Sequence, residues 1–157
     1  MKKKLLFLSC FLIFTLYPFF VNTSFSGEKG AKSGSVIFYE GKNKILCSFK
    51  VEFAITEFEQ TMGLMFRKSM DKHKGMLFIH KDDEIRHYWM KNTYIPLDMI
   101  FIDSNKTVVD IYKDARPLDE TTISSKAKAR YVLEINSGEA DNCGIKRGTK
   151  VKITIDK

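Results

Sequence analysis

The residues best equipped for chemistry crowd into one short stretch, His87-Tyr88-Trp89-Met90-Lys91-Asn92-Thr93-Tyr94-Ile95-Pro96-Leu97-Asp98. Lys91 offers a cation, Asn92 an amide and Thr93 a hydroxyl, all beside the broad apolar face of Trp89. Asp98 follows inside an apolar run, where an ionised carboxylate is costly unless it has a partner. Arg67, Lys91 and Arg86 are the candidate partners, and Glu134, within Val132-Leu133-Glu134-Ile135, poses the same question. Two arrangements would satisfy these groups. In the first, Arg67, Trp89, Lys91, Asn92, Asp98 and Glu134 line one pocket, where cations and amide hold an anionic or carbonyl group and a carboxylate serves as base. In the second, Arg67 and a carboxylate form a buried ion pair that fixes strand register, while Asn92 and Thr93 tie down a turn. The second is preferred, because structural ion-pair networks perturb carboxylates as readily as active sites do. The sequence displays no Ser-His-acid triad and names no cofactor.

Metal binding is a separate question. Met62, Met65, Met70, Met76, Met90 and Met99 share a 38-residue window with His73, His80 and His87. Thioethers with imidazoles suit copper(I). Methionines at helix-face or strand-face spacing also fill irregular cores, and these histidines form no i, i+4 pair, so core packing is the preferred reading and no metal site is assigned.

The elements that must position these residues read as mainly β. Residues 36–39 are short and apolar, 40–44 form a turn, and 45–53 alternate, with Ile45, Cys47, Phe49, Val51 and Phe53 on one face. At Thr56 the period changes. Thr56-Glu57-Phe58-Glu59 has the spacing of a capping box, and Phe58, Met62 and Met65 at i, i+4 and i+7 predict a short helix docked by one apolar face and interrupted near Gly63. Strands are expected at 76–79, 85–90, 97–102, 107–112, 131–135 and 151–155, with a turn at 103–106, an irregular stretch at 117–128 and one helical turn near 139–142. Many short strands between turn signals predict a single compact β-sandwich or barrel-like domain with one or two short helices.

The N-terminus carries a different signal. Lys2, Lys3 and Lys4 precede a 17-residue apolar run from Leu5 to Val21, and Ser24-Phe25-Ser26 is a small-x-small cleavage site. Residues 1–26 therefore read as a secretory signal peptide, leaving Gly27 first in a domain spanning 27–157. An uncleaved anchor is the alternative, although the run falls short of the ~20 apolar residues that span a bilayer. Loss of the leader lowers the formal charge of +7 by three lysines, to +4. With its lysines scattered and no nucleic-acid motif beside them, the chain is not expected to bind nucleic acid, and membrane attachment is expected only through an uncleaved leader. Cys47 and Cys143 are the only cysteines beyond the leader. An oxidising compartment would permit one bridge between them, but two buried free thiols are the preferred reading.

Several blocks together carry a resemblance. Val51-Glu52-Phe53-Ala54, Met62-Gly63-Leu64-Met65-Phe66-Arg67, Gly75-Met76-Leu77-Phe78, Trp89-Met90-Lys91-Asn92-Thr93, Ile95-Pro96-Leu97-Asp98, Val132-Leu133-Glu134 and Gly144-Ile145 with Gly148 occur in order across about 49–151. In this the chain resembles the domain of unknown function 192 (DUF192) family. The resemblance implies a compact β domain of sandwich or barrel type and no assigned reaction. Tyr88 stands where the family usually has phenylalanine, and Thr149 where an aspartate usually follows the glycine. The expectation is an exported, periplasmic or extracellular protein, a non-enzymatic binding or accessory module with a small-molecule or envelope ligand. A small hydrolase or transferase using Lys91 to Asp98 with Arg67 and Glu134 is the alternative, and soft-metal binding the third.

Overall fold

The structure is a computed structural model and describes residues 32–41 and 44–156, so the leader lies outside the described residues. In chain order the elements are β1 (Ser33–Glu40), β2 (Lys44–Ala54), α1 (Glu57–Met62), β3 (Lys74–Glu84), β4 (His87–Tyr88), β5 (Leu97–Ile102), β6 (Val108–Ala115), β7 (Ile123–Ser124), β8 (Ala129–Asn136), α2 (Glu139–Asn142) and β9 (Lys150–Ile155). Seven strands form one sheet in the order β6-β5-β8-β3-β2-β1-β9, and β4 pairs with β7 beside it. All pairings in the large sheet are antiparallel except β2 with β3, which are joined through α1.

The two edges of this sheet meet. Val108 N donates to Thr149 O at 3.0 Å, Gly148 N to Val108 O at 2.8 Å and Val151 N to Lys106 O at 2.9 Å. The domain is thus barrel-like rather than an open sandwich, and the bonds blunt both edge strands. Its interior takes Phe38, Phe49, Val51, Leu77, Ile100, Leu133 and their neighbours from all seven strands. A second apolar layer lies on the outer face of β3, β8 and β5, where Met76, Phe78, Met99, Phe101 and Val132 are covered by Leu64, Met90 and Ile95 from the loops and Ile123 from β7. Two faces buried at once explain why β5 is buried at every position, since each alternate residue has a core to enter.

Local sequence accounts for most of these elements. Alternation in β2 buries Phe49, Val51 and Phe53, but Ile45 is exposed, lying next to the turn beyond the register shift at Phe38/Tyr39. The capping box is complete: Thr56 Oγ1 accepts from Glu59 N at 3.2 Å, and Glu59 Oε2 accepts from Thr56 N at 2.8 Å. The docked apolar face is not found. Phe58 is 74% exposed and no residue of α1 is buried. What holds the helix is polar: Gln60 Nε2 donates to Ile79 O on β3 at 2.9 Å. Of the apolar stripe that periodicity shows, Phe58 and Met62 stay exposed, and only Met65, beyond the helix, is half-buried beside Asn92.

Two further expectations change. The strand at 85–90 shrinks to His87–Tyr88, the two residues that pair with β7; β3 ends at Glu84, and Ile85, Arg86, Trp89 and Met90 lie in no strand. The irregular stretch contains β7, which pairs with β4. Cys47 and Cys143 are not the free thiols preferred from sequence but form a disulfide across 96 residues, because the fold sets the end of α2 beside β2. Thr149, in place of the family's aspartate, performs a turn-closing role, its Oγ1 accepting from Lys146 N at 3.0 Å. Among the described residues, no helix is long and apolar enough to cross a membrane.

Candidate functional site

A cavity of about 590 Å³ opens between α1, the outer face of the sheet and the segment around β4. Glu134 lies in its lining. On the central strand β8 its register partners are Met76 on β3 and Met99 on β5, so the carboxyl leaves the sheet between two thioether side chains. It is 5% exposed. No hydrogen bond to this carboxyl is made by the described residues, and burial pushes its pKa up to about 8, leaving it mainly protonated at neutral pH.

The groups around it are ordered. His80 Nε2 and the Tyr88 hydroxyl lie 3.0 Å apart. Burial, helped by the Arg86 charge, pushes His80 down to about 4, so its ring is neutral near pH 7. Burial, and then the Glu134 charge, lifts the Tyr88 phenol well above its usual range. Phe78 meets Tyr88 edge-on, with ring centroids 5.2 Å apart. The Arg86 guanidinium is already engaged, donating from Nε to Ala129 O at 2.7 Å and from an Nη to the Asp82 carboxylate at 2.8 Å. At the mouth, Lys91 Nζ lies 5.1 Å from the Trp89 ring centre and 3.7 Å from a Glu120 carboxylate oxygen.

Gly63 shapes the wall at the end of α1. Its φ of 44° lies in the left-handed region, and a Cβ there would meet the Phe78 ring at 3.1 Å. A side chain would therefore strain the turn and press on the cavity lining.

The structure separates the six sequence candidates. Trp89, Lys91 and Glu134 line the cavity, joined by Thr93. Arg67 does not: it bonds Glu52 through two contacts of 2.6 and 2.5 Å on another part of the surface, and holds that carboxyl below the usual range. Asn92 takes a left-handed backbone conformation with φ 54°, and its carbonyl accepts from Phe66 N at 2.8 Å. That supports the turn role. Asp98 is 1% exposed but among the described residues has no cation as partner. Its oxygens accept from Asp114 N at 3.0 Å and Ala140 N at 3.1 Å, tying the end of β6 and the start of α2 to β5. The proposed Arg67–Asp98 ion pair is therefore replaced by Arg67–Glu52 and by backbone donors.

Sequence reasoning missed His80, Tyr88 and Arg86 as a group. The one available signal was Tyr88, a hydroxyl in a position usually held by phenylalanine. It also missed a contact between His87 Nδ1 and Ser124 Oγ at 2.8 Å, formed by the β4–β7 pair. Among the described residues no carboxylate bonds the other nitrogen of His87, so this pair lacks the orienting member of a triad. The methionines and histidines are spread over several environments: Met76, Met90 and Met99 are buried in the outer layer, and His73 sits beside the disulfide. Cys47, His73 and Cys143 place ligand atoms within 4.8 Å of one another, but the two sulfurs are bonded together.

Comparison with known proteins agrees with the fold. The DUF192 family, described as an uncharacterized ACR, matches residues 38–153. The chain is similar to a solved structure from Sinorhizobium meliloti 1021 described as a putative transcription regulator, at 34% identity and a TM-score of 0.76, covering 81% of this chain and 98% of that one. It is also similar to a protein of unknown function from Novosphingobium aromaticivorans DSM 12444, at 39% identity and a TM-score of 0.70, covering 75% and 83%. Among curated proteins no match is found.

Proposed function

The chain belongs to the DUF192 family, and from the site it carries we propose that it is a non-enzymatic binding module for a small molecule, working outside the cytoplasm. One observation carries the reading: Glu134 is buried, lacks a hydrogen-bond partner among the described residues and lines an open cavity. Buried polar groups nearly always find partners, and an unpaired one lining an open cavity of mixed polar and apolar walls is what a ligand-binding site offers. The walls supply Leu64, Phe78 and Trp89, enough apolar surface to hold a ligand body. The hydrolase or transferase alternative is less well supported, since Arg67, Asn92 and Asp98 do not line the cavity with Lys91 and Glu134, and among the described residues no carboxylate orients the His87–Ser124 pair. Nucleic-acid recognition, suggested by the description of the Sinorhizobium protein, is also poorly supported. Helices of six and four residues are too short to serve as recognition helices.

Two features support export: the basic leader with its cleavage site and the Cys47–Cys143 disulfide, a bond that persists in oxidising compartments. Mass spectrometry of the native protein tests this half of the reading. A chain starting at Gly27 in the envelope fraction is expected, whereas intact Met1 in the cytoplasm overturns it. For the binding half, a thermal-shift screen against small envelope metabolites is run on the wild type and on Met65→Trp, which places an indole in the cavity. A bound compound raises the midpoint by mass action. Shifts in the wild type that Met65→Trp abolishes are expected; shifts equal in both place binding elsewhere and overturn the reading.

A further inference from the structure

We propose that the cavity takes an organic cation, an ammonium group carried on an apolar body, with the cationic head set against the Glu134 carboxylate and flanked by aromatic rings. The inference rests on the binding-cavity reading above and adds the chemical class of the ligand.

Three observations point the same way. First, Glu134 has no partner of its own, and the two cations nearest the cavity are already committed: Arg86 to Asp82 and Ala129, and Lys91 to Glu120 and Trp89. A buried carboxylate is stabilised chiefly by an opposite charge, and here the fold supplies none to it. Second, the lining, though mixed, includes aromatic and thioether groups: Phe78, Tyr88 and Trp89 with Met62 and Met65. Aromatic faces attract cations, most strongly where water is excluded. Third, the fit of other ligands is poorer. An anion placed against Glu134 would meet either a neutral acid or, at higher pH, a like charge, and the two lining cations, Arg86 and Lys91, already face Asp82 and Glu120. A purely apolar ligand would leave the Glu134 carboxyl without a partner.

Binding a permanent cation entails one proton transfer. The Glu134 O–H bond breaks and its proton passes to solvent, leaving a carboxylate beside the bound cation; no other bond changes. Affinity must then rise with pH as less work is needed to remove that proton. The other titratable or charged groups lining the cavity are Glu57 from α1, His80 from β3, Arg86 before β4, His87 and Tyr88 in β4, and Lys91 after it. His80 is already neutral above its value of about 4, and the Tyr88 phenol is held protonated. A His87→Asn variant removes the remaining imidazole from the pH series.

The probes are benzyltrimethylammonium, whose charge does not depend on pH, its neutral carbon isostere, and phenylacetate. Calorimetry or ligand-observed magnetic resonance on the purified protein should show the cation binding at least tenfold more tightly than either comparison compound at pH 8.5. Its affinity should weaken from pH 8.5 to 6.5, also in His87→Asn. Glu134→Gln, which has the shape of the neutral acid, should lose tenfold or more for the cation while binding the isostere within about twofold. Glu134→Met, matching its Met76 and Met99 neighbours, is the second variant if the amide disturbs the fold. Cation affinity unchanged in both variants overturns the inference, as does equal binding of isostere or phenylacetate. If those two compounds bind and Met65→Trp blocks them, the cavity reading survives alone. If no probe binds the wild type, the cation inference falls, and the metabolite screen with Met65→Trp alone decides the cavity reading.

Discussion

Two buried carboxylates on neighbouring strands of the same barrel meet opposite fates. Asp98 on β5 faces the barrel end, where the N–H groups of Asp114 and Ala140 satisfy both of its oxygens. Glu134 on β8 faces the outer layer, between Met76 and Met99, and receives no hydrogen bond from the described residues. Both are at least 95% buried, so burial alone does not distinguish a structural acid from one available to a ligand. Hydrogen-bond satisfaction does. An acid already paired by backbone donors has little left to offer a ligand, whereas one held without a partner can gain much from meeting one.

The largest expected effect tests the structural side of this contrast. Asp98→Ala removes two charge-assisted hydrogen bonds and leaves two amide donors facing apolar surroundings, a loss of about 3 to 5 kcal/mol at the usual value for such bonds. Glu134→Gln, by contrast, should match or exceed the stability of the wild type at pH 8, because it abolishes the cost of burying an ionisable acid. Denaturant titration of the two variants compares them directly. Asp98→Ala as stable as the wild type would break the distinction.

The next effect is the pH dependence of stability. Glu134 is raised from 4.5 to about 8 in the fold, so its stabilising contribution is complete below pH ~4.5 and is lost as pH rises through ~8. His80 is lowered from 6.5 to about 4 and acts in the opposite sense, costing stability as pH falls from ~6.5 through ~4. The two slopes oppose one another between pH 4.5 and 6.5. A net loss should emerge between pH 6.5 and 8, worth about 2 kcal/mol at 1.36 kcal/mol per pH unit. Stability curves for wild type and Glu134→Gln at several pH values check this, since the amide should flatten that interval. An unchanged slope in the variant would mean that Glu134 is solvated after all.

These carboxylates also show what could be read in the sequence. The alternation of Phe49, Val51 and Phe53 and the Thr56–Glu59 box were legible because each depends on neighbours a few residues away. Asp98 and Glu134 were legible as questions, being acids in apolar runs. Their answers were not. The partners of Asp98 are backbone N–H groups, which every residue but proline carries and no sequence pattern marks. The isolation of Glu134 depends on the register that sets Met76 and Met99 opposite it. Phe58 and Met62 failed in another way: helical periodicity identifies an apolar stripe but not whether anything covers it. His80 and Tyr88 come together only because β3 runs further than its apolar core suggests and β4 turns back against it.

A smaller effect separates local from tertiary order. Thr56→Ala removes the N-cap acceptor of α1 and should cost about 0.5 to 2 kcal/mol. Since α1 walls the cavity, probe affinity should fall with it. A stability loss without any change in affinity would show that the helix contributes to the barrel but not to the site.

The smallest expected change in stability is at Lys91, and its sign for binding is informative. The ammonium sits at the mouth of the cavity, over Trp89 and near Glu120, in a half-exposed position. Exposed ion pairs and cation–π contacts are weak, so Lys91→Met should alter stability by no more than about 0.5 kcal/mol. If Lys91 were the anchor for an anionic ligand, as its place beside Asn92 and Thr93 first suggested, its removal would weaken binding. With Glu134 as the anchor for a cation, Lys91 is a like charge close to the entry path. Its removal should then raise the affinity for benzyltrimethylammonium by a few fold in low salt, and the gain should shrink in ~1 M salt, where the screening length falls to ~3 Å. Lower affinity for the cation in Lys91→Met would reverse the electrostatic assignment of the site and make the lysine, rather than the buried acid, the group that meets the ligand.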